Sequence, residues 1–175
     1  ARIRKVGGVC IADEVQTGLG RLGSVYWGFE QQDASPDMVI LGKPIGNGHP
    51  IGVVATTKAI ADSFVTGMEF FSTFGGTTLA CLIGAEVLDI IDEENLQANA
   101  ETIGNHLLDG YRELQNKYPI VGDVRGMGLF TGIELVNDRN SKTPATHLAG
   151  YVSNRLRAHR ILIGTDGPSD NVLKI

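Results

Sequence analysis

The chain has 175 residues, 42% of them hydrophobic and 20% charged, with a formal net charge of −5. Such a composition supports a folded core and argues against disorder. The acidic balance, without any basic block, argues against nucleic acid as a partner, and no apolar run reaches the roughly 20 residues of a membrane span.

Gly8 to Ala12 is a short, continuous apolar run that ends at the acidic pair Asp13-Glu14. Uninterrupted apolar character predicts a strand buried on both faces, as in a parallel sheet. Asp37 to Gly42 and Ile51 to Thr56 repeat the pattern, and Ala59 to Phe64 reads as a short helix. The period then changes. Leu79, Leu82, Ile83, Val87, Leu88, Ile90 and Ile91 fit one helix with a broad apolar face. Leu96, Ala100, Ile103, Leu107, Tyr111 and Leu114 fit a second, amphipathic helix that Pro119 ends. A strand is expected over Leu129 to Leu135, a helix over Ala145 to His159, and two last strands over Ile161 to Ile163 and Val172 to Ile175. The fold class is therefore α/β in the first part and α+β in the second, with a boundary within the helical stretch Leu79 to Glu94.

The chain begins without Met and stops inside a strand-like run, so it is expected to be a piece of a longer polypeptide. Cys10 and Cys81 lie in apolar runs and are expected as buried free thiols in a reducing compartment. With no signal peptide in view, a cytoplasmic location is expected.

In open parallel sheets, ligands bind beyond the carboxyl ends of the strands. Asp13 closes the first apolar run and Lys43 follows the second, so both side chains can emerge on one rim. A carboxylate and an amine there suit a salt bridge, a phosphate site or a covalent-cofactor site. Taken singly, an Asp after a strand is more often a cap, and a Lys after Gly is more often a solvated loop residue. Gly18 to Gly23 has the letters G-x-G-x-x-G. It does not join a strand directly to a helix, so it is not read as a phosphate cradle. The four histidines show no metal spacing with the cysteines, and no metal is expected.

Four segments carry a family resemblance. Ile11-Ala12-Asp13-Glu14-Val15-Gln16-Thr17-Gly18-Leu19-Gly20-Arg21 resembles the signature of class III aminotransferases, which are pyridoxal 5'-phosphate (PLP) enzymes of fold type I. Leu41 to Gly48 resembles the family's lysine segment, Ser72 to Gly76 its phosphate-contact segment, and Gly122 to Leu129 the start of its C-terminal small domain. The family usually has Asn-Pro after the paired glycines, where this chain has Thr77-Thr78.

The resemblance implies that residues 1–86 are the C-terminal part of a PLP-binding large domain, a mainly parallel sheet with flanking helices. Residues 87–175 would be a truncated α+β small domain. Asp13 would pair with the protonated pyridine nitrogen of PLP, Val15 would pack on one ring face, and Gln16 would lie near the phenolic oxygen. Lys43 would be the Schiff-base lysine and later move a proton, a role that burial favours by keeping the amine neutral. Thr73 would reach the cofactor phosphate of a neighbouring subunit, so a homodimer with a shared active site is implied. Arg125 and its glycines are expected as a tight turn holding domains together, and Trp27 and Phe29 as packing residues.

The implied reaction is transfer of an amino group from an amine or amino acid to an oxo acid. Gly42 to Pro50, Gly67 to Thr73, and Asp166 to Pro168 with Asn171 to Ile175 also resemble a branch acting on phosphorylated amino-alcohols, the ethanolamine-phosphate and phosphohydroxylysine phospho-lyases. A third reading is a non-catalytic dimerisation or assembly domain. It ranks below the others because Asp13, Gln16, Lys43 and Thr73 occur together. Further cofactor- and substrate-binding elements of the family have no counterpart in these residues, so the isolated chain is expected to be inactive.

Overall fold

A computed structural model describes residues 2–175. They form two compact units, the first ending at Gln97 and the second running from Ala98 to Ile175.

The first unit opens with the short helix α1 (Arg2–Lys5) and holds a sheet of β1 (Ile11–Asp13), β2 (Met38–Leu41) and β3 (Val53–Thr56), in that order. β1 and β2 are parallel, with Asp13 opposite Ile40, whereas β3 runs antiparallel to β2. The connection from Gly42 to Gly52 is shorter than the dozen or so residues of a parallel crossover, so the chain returns alongside β2. The strands are not covered on both faces: Ile11 is 56% exposed and Val54 63%. Asp37, just before β2, ties the opening segments together. It accepts hydrogen bonds from the Cys10 N–H at 2.8 Å and from Arg4 Nε at 3.0 Å. The Cys10 N–H, and then the Arg4 guanidinium, hold the Asp37 carboxyl below the usual carboxylate range. The clamp is therefore complete above the ordinary carboxylate pKa and is lost only as pH falls through the lowered value.

Helix α2 (Lys58–Ser63) carries the Lys58–Asp62 ion pair one turn apart at 2.7 Å. Helix α3 (Thr78–Glu93) packs Val87 and Ile91 with Leu19, Ile45, Leu41 and Val53 in the core of this unit. Cys10 and Cys81 are both free thiols, but neither is buried as expected: Cys10 is partly exposed and Cys81 is exposed. Ile83, Val87 and Ile91 line the covered stripe at i, i+4 spacing, and Cys81 sits two residues off it.

Helix α4 (Leu96–Lys117) leads into the second unit and ends before Pro119. There β4 (Val121–Met127) and β5 (Phe130–Asp138) form a hairpin, β6 (Thr143–Pro144) pairs with β5, and α5 (Thr146–Arg157) precedes β7 (Gly164–Asp166) and β8 (Val172–Lys174). The sheet runs β4-β5-β8-β7, with every neighbouring pair antiparallel. Val121, Ile133, Leu135, Ala145, Ala149 and Leu173 form its core, with Ala149 fully buried. The strand expected at Ile161 to Ile163 begins later, at Gly164. Ile161 instead bonds back to the carbonyl of Leu156 at 3.1 Å, closing the end of α5.

Arg125 does not sit in a tight turn. It lies in β4 opposite Gly132, and its guanidinium donates to Asp123 and Glu134, both at 2.6 Å. The turn is confined to Gly128-Leu129, where Gly128 has φ 53°. Asp123, two residues earlier on the same strand, and Glu134 across the ladder lie on the same face as Arg125 and favour the extended ladder over a turn.

Arg139 closes the carboxyl end of α4. It donates to the carbonyls of Gln115, Tyr118, Pro119 and Val121. The Gln115 carbonyl lies in the last turn of α4 and the other three just beyond it, so the guanidinium ties the helix end to the chain that follows, and its charge suits the helix dipole. Arg139→Ala is expected to destabilise the protein by about 1–2 kcal/mol. In urea this would be read as a lower midpoint at unchanged slope. Arg139→Lys should rescue only in part, because a single ammonium lacks the second nitrogen that reaches the Pro119 carbonyl.

Candidate active site

β1 and β2 end on one rim because they are parallel and in register at Asp13 and Ile40. Alternation along a strand sends adjacent side chains to opposite faces. Asp13 is accordingly exposed, while Glu14 is buried at 4% exposure. Asp13 Oδ1 accepts the Val15 N–H at 3.1 Å. Its second oxygen makes no hydrogen bond among the described residues.

Beyond β2, Gly42 is extended, with φ −164°. A Cβ at Gly42 would lie 3.5 Å from a Val15 methyl, which puts Val15 beside the residue that precedes Lys43. Lys43 takes a left-handed φ of 39° and opens a tight helical turn through Gly46. That conformation costs a non-glycine residue about 1–2 kcal/mol. The turn is held by the Asn47 N–H to Pro44 carbonyl bond at 2.9 Å and by Ile45, 4% exposed in the core beside Leu19 and Ile91. Within this chain Lys43 is exposed, and its amine has no hydrogen-bond or ion-pair partner among the described residues. Its neighbour Ile45 takes the inward position of the turn, which leaves the lysine stem pointing away from the core.

The structure thus brings Asp13, Val15 and Lys43 to one rim, with Gln16 exposed on the turn that follows. Thr73 lies in the exposed stretch between α2 and α3, where Ser72 Oγ accepts the Gly75 N–H at 2.9 Å. No hydrogen bond joins Thr73 to the other four among the described residues.

Gly18 to Gly23 forms a turn. Leu19, Gly20 and Gly23 have φ of 63°, 74° and 76°, and the Gly20 N–H donates to the Tyr26 carbonyl at 3.0 Å. Gln97 Nε2 donates to the Gly23 carbonyl at 2.8 Å. The N–H groups of Gly18, Gly20 and Gly23 are thus all engaged within the unit. Trp27 meets Tyr26 edge-on at 4.9 Å and stacks with Phe29 at 6.3 Å, a packing cluster.

Glu14 was not singled out among the candidate residues, although it is the most connected residue of the site. Oε2 accepts Thr17 Oγ1 at 2.7 Å and the Gly28 N–H at 2.9 Å, and Oε1 accepts the Phe29 N–H at 2.9 Å. The signal was present in the adjacent acidic pair. Alternation allows only one of Asp13 and Glu14 to face solvent, so the other needs internal donors.

The donor set fits the cofactor that the motifs imply. One carboxylate oxygen is available for a ring N–H, an unpaired amine can be a nucleophile, and an apolar side chain between them can cover a ring.

Known proteins show the family of the chain. The family model for class-III aminotransferases matches residues 3–175. The chain is 50% identical to alanine–glyoxylate aminotransferase 2-like of Drosophila melanogaster, over 99% of this chain and 35% of that protein. It is 52% identical to human mitochondrial alanine–glyoxylate aminotransferase 2, over 81% of this chain and 28% of that protein. Among solved structures, a phospholyase from Arthrobacter in complex with phosphoethanolamine superposes with a TM-score of 0.94 at 41% identity, covering 99% of this chain and 41% of that one. The chain spans about a third of the length of the curated relatives it matches. The expected cytoplasmic location is corrected by these comparisons, since the human relative and one from Arabidopsis thaliana are both named mitochondrial. Two cysteines without a disulfide partner in this chain identify no compartment. The motifs, the rim geometry and the match along nearly all of its length together establish that the chain belongs to the class-III aminotransferase family, PLP-dependent enzymes of fold type I.

Proposed function

We propose that the full-length protein carrying this chain is an aminotransferase that moves an amino group from an amine or amino acid to an oxo acid. The observation that carries this reading is the shared rim, where Asp13 and the unpaired Lys43 leave the carboxyl ends of two parallel strands. When bound, PLP supplies an electron sink for charge that develops beside the substrate's amino group. Asp13 would hold the proton on the ring nitrogen with its available oxygen. Val15 would cover one ring face, and Gln16 would stand near the phenolic oxygen. The Lys43 amine would hold the cofactor covalently and carry the proton at the substrate's α carbon.

The first unit would then be the C-terminal part of the cofactor-binding domain and the second part of the small domain. The exposed stretch around Thr73 supports a homodimer with a shared site. Phe70, Phe71 and Phe74, each at least 74% exposed there, are apolar surface of the kind that a partner covers. Thr73 would meet the cofactor phosphate of the other subunit.

Phosphate elimination from a phosphorylated amino-alcohol is the second reading, supported by the likeness to the Arthrobacter phospholyase. The higher identity to the alanine–glyoxylate aminotransferases favours transfer. The test is borohydride reduction of the full-length protein after incubation with PLP, followed by peptide mass spectrometry. A single adduct on Lys43 is expected. Assays with alanine plus glyoxylate, and separately with ethanolamine phosphate, should then give amino transfer without release of inorganic phosphate. Phosphate release from the second substrate, with no transfer from the first, would replace transamination by elimination. An unlabelled Lys43 would remove both readings.

A further inference from the structure

We infer that Glu14 is the positioning residue of this site, a buried carboxylate that fixes the segment Asp13–Gln16 from behind without touching cofactor or substrate. The inference rests on the proposed roles of Asp13 and Lys43.

Every polar group of Glu14 is engaged. Its N–H donates to the Ile40 carbonyl of β2 at 2.9 Å, and its carbonyl accepts the Gly18 N–H at 3.1 Å. Its two carboxylate oxygens take the Thr17 hydroxyl and the N–H groups of Gly28 and Phe29. One residue therefore joins the end of β1, its neighbour β2, the turn at 14–18 and the opening of the tight helical turn Gly28–Gln32. The packing leaves no slack. A Cβ at Gly28 would fall 2.9 Å from Thr17 Cβ and 3.1 Å from Glu14 Oε2.

Asp13 and Val15 flank Glu14 in sequence, and the Asp13 carboxylate is oriented by the Val15 N–H. Rotating the peptide planes on either side of Glu14 would swing the Asp13 carboxylate and lift Val15 away from Gly42. A buried carboxylate with three donors holds those planes more firmly than an apolar side chain could, because each bond is directional and charge-assisted. The donors also dictate the group. A glutamine would oppose its amide N–H to the N–H of Gly28 or Phe29, leaving a buried donor unpaired.

The experiment uses the full-length PLP-loaded protein and four variants: Glu14→Gln, Thr17→Val, Thr17→Ser and Arg139→Ala. The readouts are kcat and KM, thermal unfolding, and the pH titration of the bound cofactor's visible absorbance, which senses how Asp13 meets the ring nitrogen. Glu14→Gln and Thr17→Val are expected to shift the titration midpoint by about half a pH unit or more. They should also lower kcat/KM on the order of 10–100-fold, chiefly through kcat. Thr17→Ser should restore both, and Arg139→Ala should lose stability with its midpoint unmoved. If Glu14→Gln does not fold, the Thr17 pair decides. An unmoved midpoint in Glu14→Gln or Thr17→Val, with only the unfolding temperature lowered, would make Glu14 a stability residue and overturn the inference. Wild-type protein that forms no Lys43 adduct would instead remove the site reading itself, and the positioning role with it.

Discussion

Lys43→Ala in the full-length protein is expected to lower kcat on the order of 10⁴-fold or more, because nucleophile and proton carrier are lost together. Stability of the cofactor-free protein should hardly change. Within this chain the side chain is exposed and unpaired, and alanine bears the same cost as lysine at φ 39°. Lys43→Arg should not rescue activity, since a guanidinium stays protonated and is no nucleophile. The check is a steady-state and single-turnover comparison with an unfolding curve for each variant. Retained turnover in Lys43→Ala would transfer the weight to the non-catalytic dimerisation reading.

The second large effect is one of stability, and its sign runs against helix propensity. Gly104 lies in the middle of α4, where alanine ordinarily gains about 1 kcal/mol over glycine. Here a Cβ would overlap the backbone carbonyl of Gly128 and come within 2.5 Å of its Cα. Those are main-chain atoms of the β4–β5 turn, so no rotamer can relieve the overlap. The helix or the turn must shift. Gly104→Ala is therefore expected to destabilise by about 2–3 kcal/mol net of the propensity gain. Gly110 in the same helix has open space around its Cβ position, so Gly110→Ala is the matched control and should stabilise. Urea unfolding of both variants gives the answer. A Gly104→Ala protein as stable as Gly110→Ala would mean that α4 does not lie on the hairpin backbone.

Both predictions depend on how far single residues speak for their surroundings. Asp13 and Lys43 were legible through the family resemblance of the segments that carry them; the short apolar runs before them only placed them at strand ends. Glu14 was not legible as an anchor. Its three acceptor bonds come from Thr17, Gly28 and Phe29, and the last two arrive only after the chain has passed through the Gly18–Gly23 turn. Arg125 misled for a related reason. Its flanking glycines suggest a turn, but the cross-strand partner Glu134 that keeps it extended lies on the next strand.

The sequence by itself determined the order and type of most elements. Apolar periodicity is a local property that helices and strands must satisfy. Its motif spacing also determined the family and the residues to test. Tertiary structure alone decided the antiparallel direction of β3, the outward placement of Cys81 and Lys43, the donors around Glu14 and the intolerance at Gly104. Each of these depends on which distant backbone arrives next to a residue, and no local pattern carries that information.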